Sequence, residues 1–245
     1  MKYMGSKARF AKHILPIVLK GRTEAQTYVE PFAGGMNMID KVDGKRIAND
    51  ISTELIEMWK ALVCGWKPPH RITKEQYVHA RENKKEYDSH LLGWIGFRCS
   101  FSGDFFNGGC ANDYPQSRRR KDGTIPNYQQ EAINSTAKQV PKLKGVQFEN
   151  KNYWELEIPP NSVIYCDPPY EGTTKYVGRN GFNHTFFWEW CRKKSKQGHN
   201  VYISEYNAPK DFVCVWEMET KSQLSANGST GGNKISTERL FVYGG

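Results

Sequence analysis

The chain predicts an α/β fold built on an open, mostly parallel sheet, and three observations carry that prediction. The uncharged run Val163-Ile164-Tyr165-Cys166 has the length and character of a buried strand. It stops at Asp167-Pro168-Pro169, where proline, with no N–H and a fixed φ, forces the chain out of a central strand. A second strand pattern, Thr27-Tyr28-Val29-Glu30, runs into a turn at Gly34-Gly35, and a third, at 45–50, ends in Asp50, twenty residues after Glu30. With that spacing a dinucleotide-type fold presents an acid to ribose hydroxyls one strand over from its glycine turn. Helical periodicity then follows over 51–66, with Leu55, Met58, Trp59 and Leu62 on one side. Strands alternating with helices imply crossover connections, and ligands of such sheets sit beyond the carboxyl ends of the strands.

Composition narrows the partner. A chain of 245 residues is long enough to bury a substantial core. A net charge of +9 and a pI near 9.2 favour an anionic partner, and 13 tyrosines, 12 phenylalanines and 7 tryptophans add stacking surface to those charges. The cysteines, at 64, 99, 110, 166, 191 and 214, form no Cys-x-x-Cys pair and no Cys/His group at zinc spacing. They read as reduced core thiols of a cytoplasmic protein that uses no metal. No run resembles a signal peptide or a transmembrane segment, so no membrane partner is expected.

Taken in order, the chain opens with a helix carrying Ala11, Ile14, Leu15 and Val18 on one side, capped by Ser6, kinked by Pro16 and stopped by Gly21. The small Gly5-Ser6 pair before it leaves backbone N–H groups open to a carboxylate. Gly34 and Gly35 let the backbone turn and approach a ligand without a Cβ in the way. Their pattern is not the G-x-G-x-x-G of nicotinamide enzymes. Pro68-Pro69 marks a boundary. Residues 67–151 hold 15 Lys or Arg against 9 Asp or Glu, so most of the net charge lies there.

That basic stretch begins with a charged helix over 74–87 and an apolar, aromatic segment over 91–97. Asn107-Gly108, among aromatic residues, signals a hairpin turn. Arg118-Arg119-Arg120-Lys121 follows. A run of cations is ordinarily a solvated loop; beside an aromatic hairpin on a basic protein it suits phosphate tracking. Alternation returns at 146–153. After Tyr170 comes a polar, glycine-containing loop over 171–181 with Tyr176, suited to fold over a substrate. Asn183 caps a helix through Gln197, ending in Lys193, Lys194 and Lys196, with Phe186, Phe187 and Trp190 as packing residues. A strand at 201–204 ends in Glu205-Tyr206-Asn207 at the same rim as Asp167. Segments 212–216 and 240–243 form an antiparallel edge pair, with a flexible stretch at 225–233 between them.

The tip at 167–170 holds the chemistry. An exocyclic amino group on a base is a poor nucleophile, because its lone pair is conjugated into the ring. Two acceptors aimed at its N–H bonds, the Asp167 carboxylate and the Pro168 carbonyl, draw the lone pair out of conjugation. Pro169 offers no N–H to engage that carbonyl locally. Tyr170 supplies a flat face for stacking a base, a contact worth about 1–3 kcal/mol. A plain strand exit with a Pro-Pro stop is the blander reading of Asp-Pro-Pro alone. The buried strand before it and the tyrosine after it favour methyl transfer to an amino group. Cys166 alternates with Asp167 and points into the sheet, so no covalent enzyme intermediate is expected.

Asp167-Pro168-Pro169-Tyr170 resembles the catalytic tetrapeptide of amino-group nucleic acid methyltransferases. With the opening Tyr3-x-Gly5-x-Lys7 and the loop from Phe32 through Gly34 and Gly35, the chain resembles the Dam-type, D12 class DNA N6-adenine methyltransferases. That resemblance implies a seven-stranded, mostly parallel, Rossmann-like methyltransferase sheet with an inserted helical and β-hairpin DNA-recognition domain. Residues 1–60 and 146–245 would be catalytic and 61–145 the insertion. It implies S-adenosylmethionine as the donor, contacted by Tyr3, Gly5, Lys7, Phe32, Gly34, Gly35 and Asp167, with Glu30 at its amino group, Asp50 at its ribose, and Asn152 and Tyr153 at its adenine. It implies double-stranded DNA as the partner, met by Lys2, Arg98, Asn107, Arg118, Arg119, Arg120 and Lys121.

The chain departs from the family pattern at Met36, where the last glycine of the loop usually stands, which should narrow the loop. It departs again at Asn152, where an acid is usual; asparagine still accepts from an amino group. The implied reaction flips an adenine out of duplex DNA, at a cost of a few kcal/mol, and transfers the methyl group directly to N6. A monomer or weak dimer would do this in restriction–modification, phage self-protection or host regulation. An RNA adenine or cytosine-N4 methyltransferase would use the same tip. A non-catalytic DNA-binding relative would keep the fold, but the presence of Glu30, Asp50 and Asp167 together argues against it.

Overall fold

A computed structural model describes residues 1–111, 122–171, 181–221 and 235–245. Along the chain run α1 (Ala11–Val18), β1 (Tyr28–Glu30), β2 (Arg46–Asn49), α2 (Thr53–Val63), α3 (Lys74–Glu82), α4 (Ser89–Gly93), α5 (Tyr128–Gln139), β3 (Val146–Glu149), β4 (Val163–Cys166), α6 (His184–Lys196), β5 (Asn200–Glu205), β6 (Phe212–Lys221) and β7 (Ile235–Tyr243). The strands form one seven-stranded sheet of order β3-β2-β1-β4-β5-β7-β6. The β1–β4, β2–β3 and β4–β5 pairs are parallel, and β7 is antiparallel to both β5 and β6. The mostly parallel α/β sheet is therefore present, with the antiparallel pair at its end. All four residues of β4 are buried, as the uncharged run demands of a strand covered on both faces.

The chain divides into two compact units. The first comprises Met1–Ala11 and Ala33–Leu156. Its helix α2 is capped by Ser52, whose Oγ accepts from Leu55 N at 3.4 Å, and it buries Leu55, Met58, Trp59 and Leu62. Helix α3 opens with a capping box between Thr73 and Gln76. Helix α4 passes directly into a π-helical turn, Trp94–Arg98. Close approach explains the glycine at 93: a Cβ there would lie 2.1 Å from the Glu54 carbonyl oxygen of α2.

The hairpin expected around Asn107-Gly108 is reduced to a single antiparallel bridge, Ser100 to Cys110. Phe101 N donates to Gly109 O at 3.0 Å and Ala111 N to Cys99 O at 2.7 Å. Between them the backbone is left-handed at Ser102, Gly103, Phe106 and Gly109, so the loop curls and cannot continue a ladder. At the start of the chain, Ser6 caps a short 3-10 turn, Lys7–Arg9, rather than α1 itself.

The second unit comprises Lys12–Phe32 and Glu157–Gly245. Asn183 caps α6, its side chain accepting from Phe186 N at 2.9 Å, and Lys193, Lys194 and Lys196 occupy the last turn. Phe187, Trp188, Trp190 and Cys191 form its buried face. Phe186, expected to pack, is instead exposed, because it lies beside that face rather than on it. The cationic run Arg118, Arg119, Arg120 and Lys121, Tyr176 and the stretch 225–233 lie outside the described residues.

Candidate active site

In the first unit, the acid at the carboxyl end of β2 organises the glycine loop. Asp50 is 3% exposed. Its Oδ2 accepts from the Gly34 N–H and its Oδ1 from the Ser52 N–H, each at 3.0 Å. Asp50 is tied in through its backbone as well, donating to Glu149 O at 3.3 Å and accepting from Asn150 Nδ2 at 2.8 Å. Ala33 N closes the loop base by donating to Asn49 O at 2.8 Å. The acid thus builds the turn that it faces.

The loop is left-handed at Gly34, with φ 48°, and at Met36, with φ 57°. Met36 therefore adopts the backbone that a glycine would, at a steric cost of about 1–2 kcal/mol, with its side chain fully buried. The departure from the family pattern changes the side chain and leaves the turn. Tyr3 lies against the loop: a Cβ on Gly34 would stand 2.8 Å from Tyr3 Cε1, and one on Gly35 would stand 2.7 Å from Tyr3 Cβ. Tyr3, Gly34, Gly35 and Asp50 are thereby brought together. Gly5 is exposed with φ 76°, and Lys7 is buried. Beyond β3, Asn152 donates through both N and Nδ2 to Glu155 Oε2 at 3.3 Å, and the buried Tyr153 ring meets Trp154 edge-on at 4.9 Å.

In the second unit, Asp167, Pro168, Pro169 and Tyr170 follow β4, with Pro168 buried and the other three half-buried. The Tyr170 hydroxyl donates to Glu238 Oε1, and its ring meets Tyr206 edge-on at 4.7 Å. Burial, then the negative charges of Asp167 and Glu238, push the Tyr170 phenol well above its ordinary pKa, so it stays a proton donor. Glu205, at the end of β5, accepts from Glu171 N at 3.2 Å and from Tyr206 N at 2.7 Å. Arg239 braces the same corner, donating to Tyr206 O at 2.6 Å and to Glu217 Oε2 at 3.0 Å. Glu30, at the end of β1, is buried and accepts from the Tyr28 hydroxyl at 2.9 Å. Phe32 makes edge contacts with Phe182 and Phe187. Cys166 is fully buried, like the rest of β4.

A family model described as D12 class N6 adenine-specific DNA methyltransferase matches residues 3–92 and 105–225, which take in the glycine loop, Asp50 and the tip at 167–170. The chain belongs to that family. It is also similar to the Type II methyltransferase M.FokI of Planomicrobium okeanokoites, at 26% identity over 205 residues, covering 74% of this chain and 30% of the relative. The chain thus spans under a third of that relative's length. Among the described residues no group of His, Cys, Asp and Glu is arranged to hold a metal ion, and no helix is long and apolar enough to cross a membrane.

Lys2 is exposed, with Nζ 5.4 Å from the Tyr128 ring centroid and 3.5 Å from Glu131 Oε2. Asn107 is exposed and donates to Asp104 Oδ1 at 3.3 Å. Arg98 corrects the sequence reading. Expected at the DNA, it is 4% exposed. Its guanidinium donates to Thr136 Oγ1 at 3.2 Å, Ala132 O at 2.8 Å and Ser135 Oγ at 2.7 Å, all on α5. The π-turn carries it inward, and burial lowers its pKa to about 10, which leaves it charged.

Sequence reasoning passed over Glu238, Arg239 and Gln139. The first two reach the tip through β7, whose register against β5 pairs Glu205 with Arg239. An alternating strand pattern gave no sign of that register.

Proposed function

We propose that the protein is a site-specific DNA adenine-N6 methyltransferase that accepts an adenine flipped from duplex DNA and methylates it directly. One observation carries the reading: an Asp-Pro-Pro-Tyr tip at the carboxyl end of β4 whose tyrosine is fixed by Glu238 and Tyr206.

S-adenosylmethionine is the donor the family implies, and the residues fit it. Gly34 and Gly35 let Tyr3 pack directly on the loop backbone, where a Cβ would clash. Asp50, oriented by two backbone N–H groups, is a preorganised acceptor for ribose hydroxyls. Glu30, oriented by Tyr28, is an acceptor for an ammonium group. Tyr3, Gly5, Lys7, Phe32, Asn152 and Tyr153 complete the donor-binding set. When bound, the donor supplies an electrophilic methyl group on a sulfonium.

The chain's own work falls on the acceptor. The Asp167 carboxylate and the Pro168 carbonyl accept the two N6–H bonds and turn the nitrogen lone pair out of the ring plane. The Tyr170 face stacks the base and repays part of the flipping cost, by about 1–3 kcal/mol. Its hydroxyl, held by Glu238, keeps that face from rotating away. Methylation makes N6 acidic, so its proton leaves without a strong base. Residues 61–145, with Lys2, Asn107 and the cations at 118–121, take the role of DNA recognition, and Arg98 supports that insertion from inside.

Asp167→Ala tests the mechanism. DNA binding by fluorescence anisotropy should persist, while methyl transfer falls by at least about 100-fold, the usual loss when a polarising partner is removed. Retained transfer would refute the assigned role of Asp167.

A further inference from the structure

We propose that Gln139, the last residue of α5, is a positioning residue for donor binding, whose side-chain amide holds the glycine loop in its donor-ready turn. The inference rests on the reading of Gly34, Gly35 and Asp50 as the donor cradle. Gln139 is 4% exposed, and its Nε2 donates to Gly35 O at 3.1 Å and to Met36 O at 3.0 Å. Both amide hydrogens are thereby engaged, and Oε1 accepts from the Met1 amino group at 2.6 Å.

Three consecutive residues are thus gripped with opposite polarity. Asp50 holds the N–H of Gly34, and Gln139 holds the carbonyls of Gly35 and Met36. The grip has work to do, because Met36 sits at φ 57°, which an L side chain with a Cβ does not adopt of its own accord. Gln139 is not free to drift with the loop. Its helix is fixed along its length by Arg98, and at its start by Gln129, which donates to Ile72 O at 2.9 Å and accepts from Ile72 N at 2.8 Å. The shape of the donor loop is therefore set from the basic stretch as well as from Asp50. Gln139 acts through backbone carbonyls and touches no reacting atom.

Gln139→Met keeps length and volume, removes both donors and takes away the acceptor of the Met1 amino group. The KM for S-adenosylmethionine and the Kd for S-adenosylhomocysteine should rise roughly tenfold, the effect of leaving the Gly35 carbonyl without its donor while Met36 O keeps only the Asp40 N–H at 3.3 Å. Turnover at saturating donor should stay within about twofold, because the tip is not touched. A merely structural residue would lower the melting temperature and the active fraction and leave the donor KM unchanged; that outcome overturns the proposal. Should the methionine variant fail to fold, Gln139→Asn keeps the amide but shortens its reach, and the same split between donor KM and turnover is required of it. Wild-type protein that binds no donor sinks the cradle reading and this inference with it. Normal wild-type binding with an unaltered methionine variant sinks the inference alone.

Discussion

Asparagine at position 50 is the sharpest probe of the donor loop. Asp50→Asn keeps the shape of the side chain but removes its charge and one of its two acceptors. Of the Gly34 and Ser52 N–H groups, each 3.0 Å from a carboxylate oxygen, one would face an amide NH2. A hydrogen bond to an ionised group is worth about 1.5–3 kcal/mol and a neutral one about 1 kcal/mol. Losing one and weakening the other removes roughly 2–4 kcal/mol from the loop. Ser52 is also held as the cap of α2, so the loss falls mainly at Gly34. At about 1.4 kcal/mol per tenfold, the Kd for S-adenosylhomocysteine should rise on the order of 30- to 700-fold. Isothermal titration calorimetry measures that change, with DNA anisotropy and a urea melt as controls for folding. A folded Asp50→Asn protein that binds within about threefold of wild type would refute the cradle reading.

Two further predictions address the insertion and the tip. Arg98→Met should cost on the order of 3 kcal/mol of stability in urea denaturation, because buried acceptors on α5 lose a charged donor. The slope of DNA affinity against salt should not change, since a phosphate contact is not removed; a shallower slope would return Arg98 to the DNA surface. Glu238→Gln replaces a charge-assisted acceptor for the Tyr170 hydroxyl with a neutral one, a loss of about 1 kcal/mol. Turnover should fall roughly fivefold with donor affinity unchanged, and unchanged turnover would show that Tyr170 needs no such brace.

What was legible in the sequence is what depends on neighbours along the chain. The uncharged run 163–166 is a buried strand because its own residues allow nothing else, and proline ends it at once. Leu55, Met58, Trp59 and Leu62 recur at helical spacing and are buried together. Asn183 caps α6 through a local bond. The misses are non-local. Arg98 looks like any surface cation until the π-turn directs it toward α5, and nothing in its flanks announces that turn. Met36 reads as a narrowing of the glycine loop, and nothing in its flanks shows that Gln139, about a hundred residues away, holds its carbonyl. Glu238 reaches Tyr170 only through a strand register. Phe186 fails for a simpler reason: positions 186–190 hold four aromatic residues, and with Phe187, Trp188 and Trp190 on the buried face Phe186 is left outside it.

The most direct test of the proposed activity is product identification. The purified protein is incubated with tritiated S-adenosylmethionine and either duplex DNA or RNA, and the nucleic acid is then digested to nucleosides and separated. The label should appear in N6-methyladenine from DNA and disappear with Asp167→Ala. Label in RNA alone, or in N4-methylcytosine, would contradict the assignment of adenine in duplex DNA as the substrate.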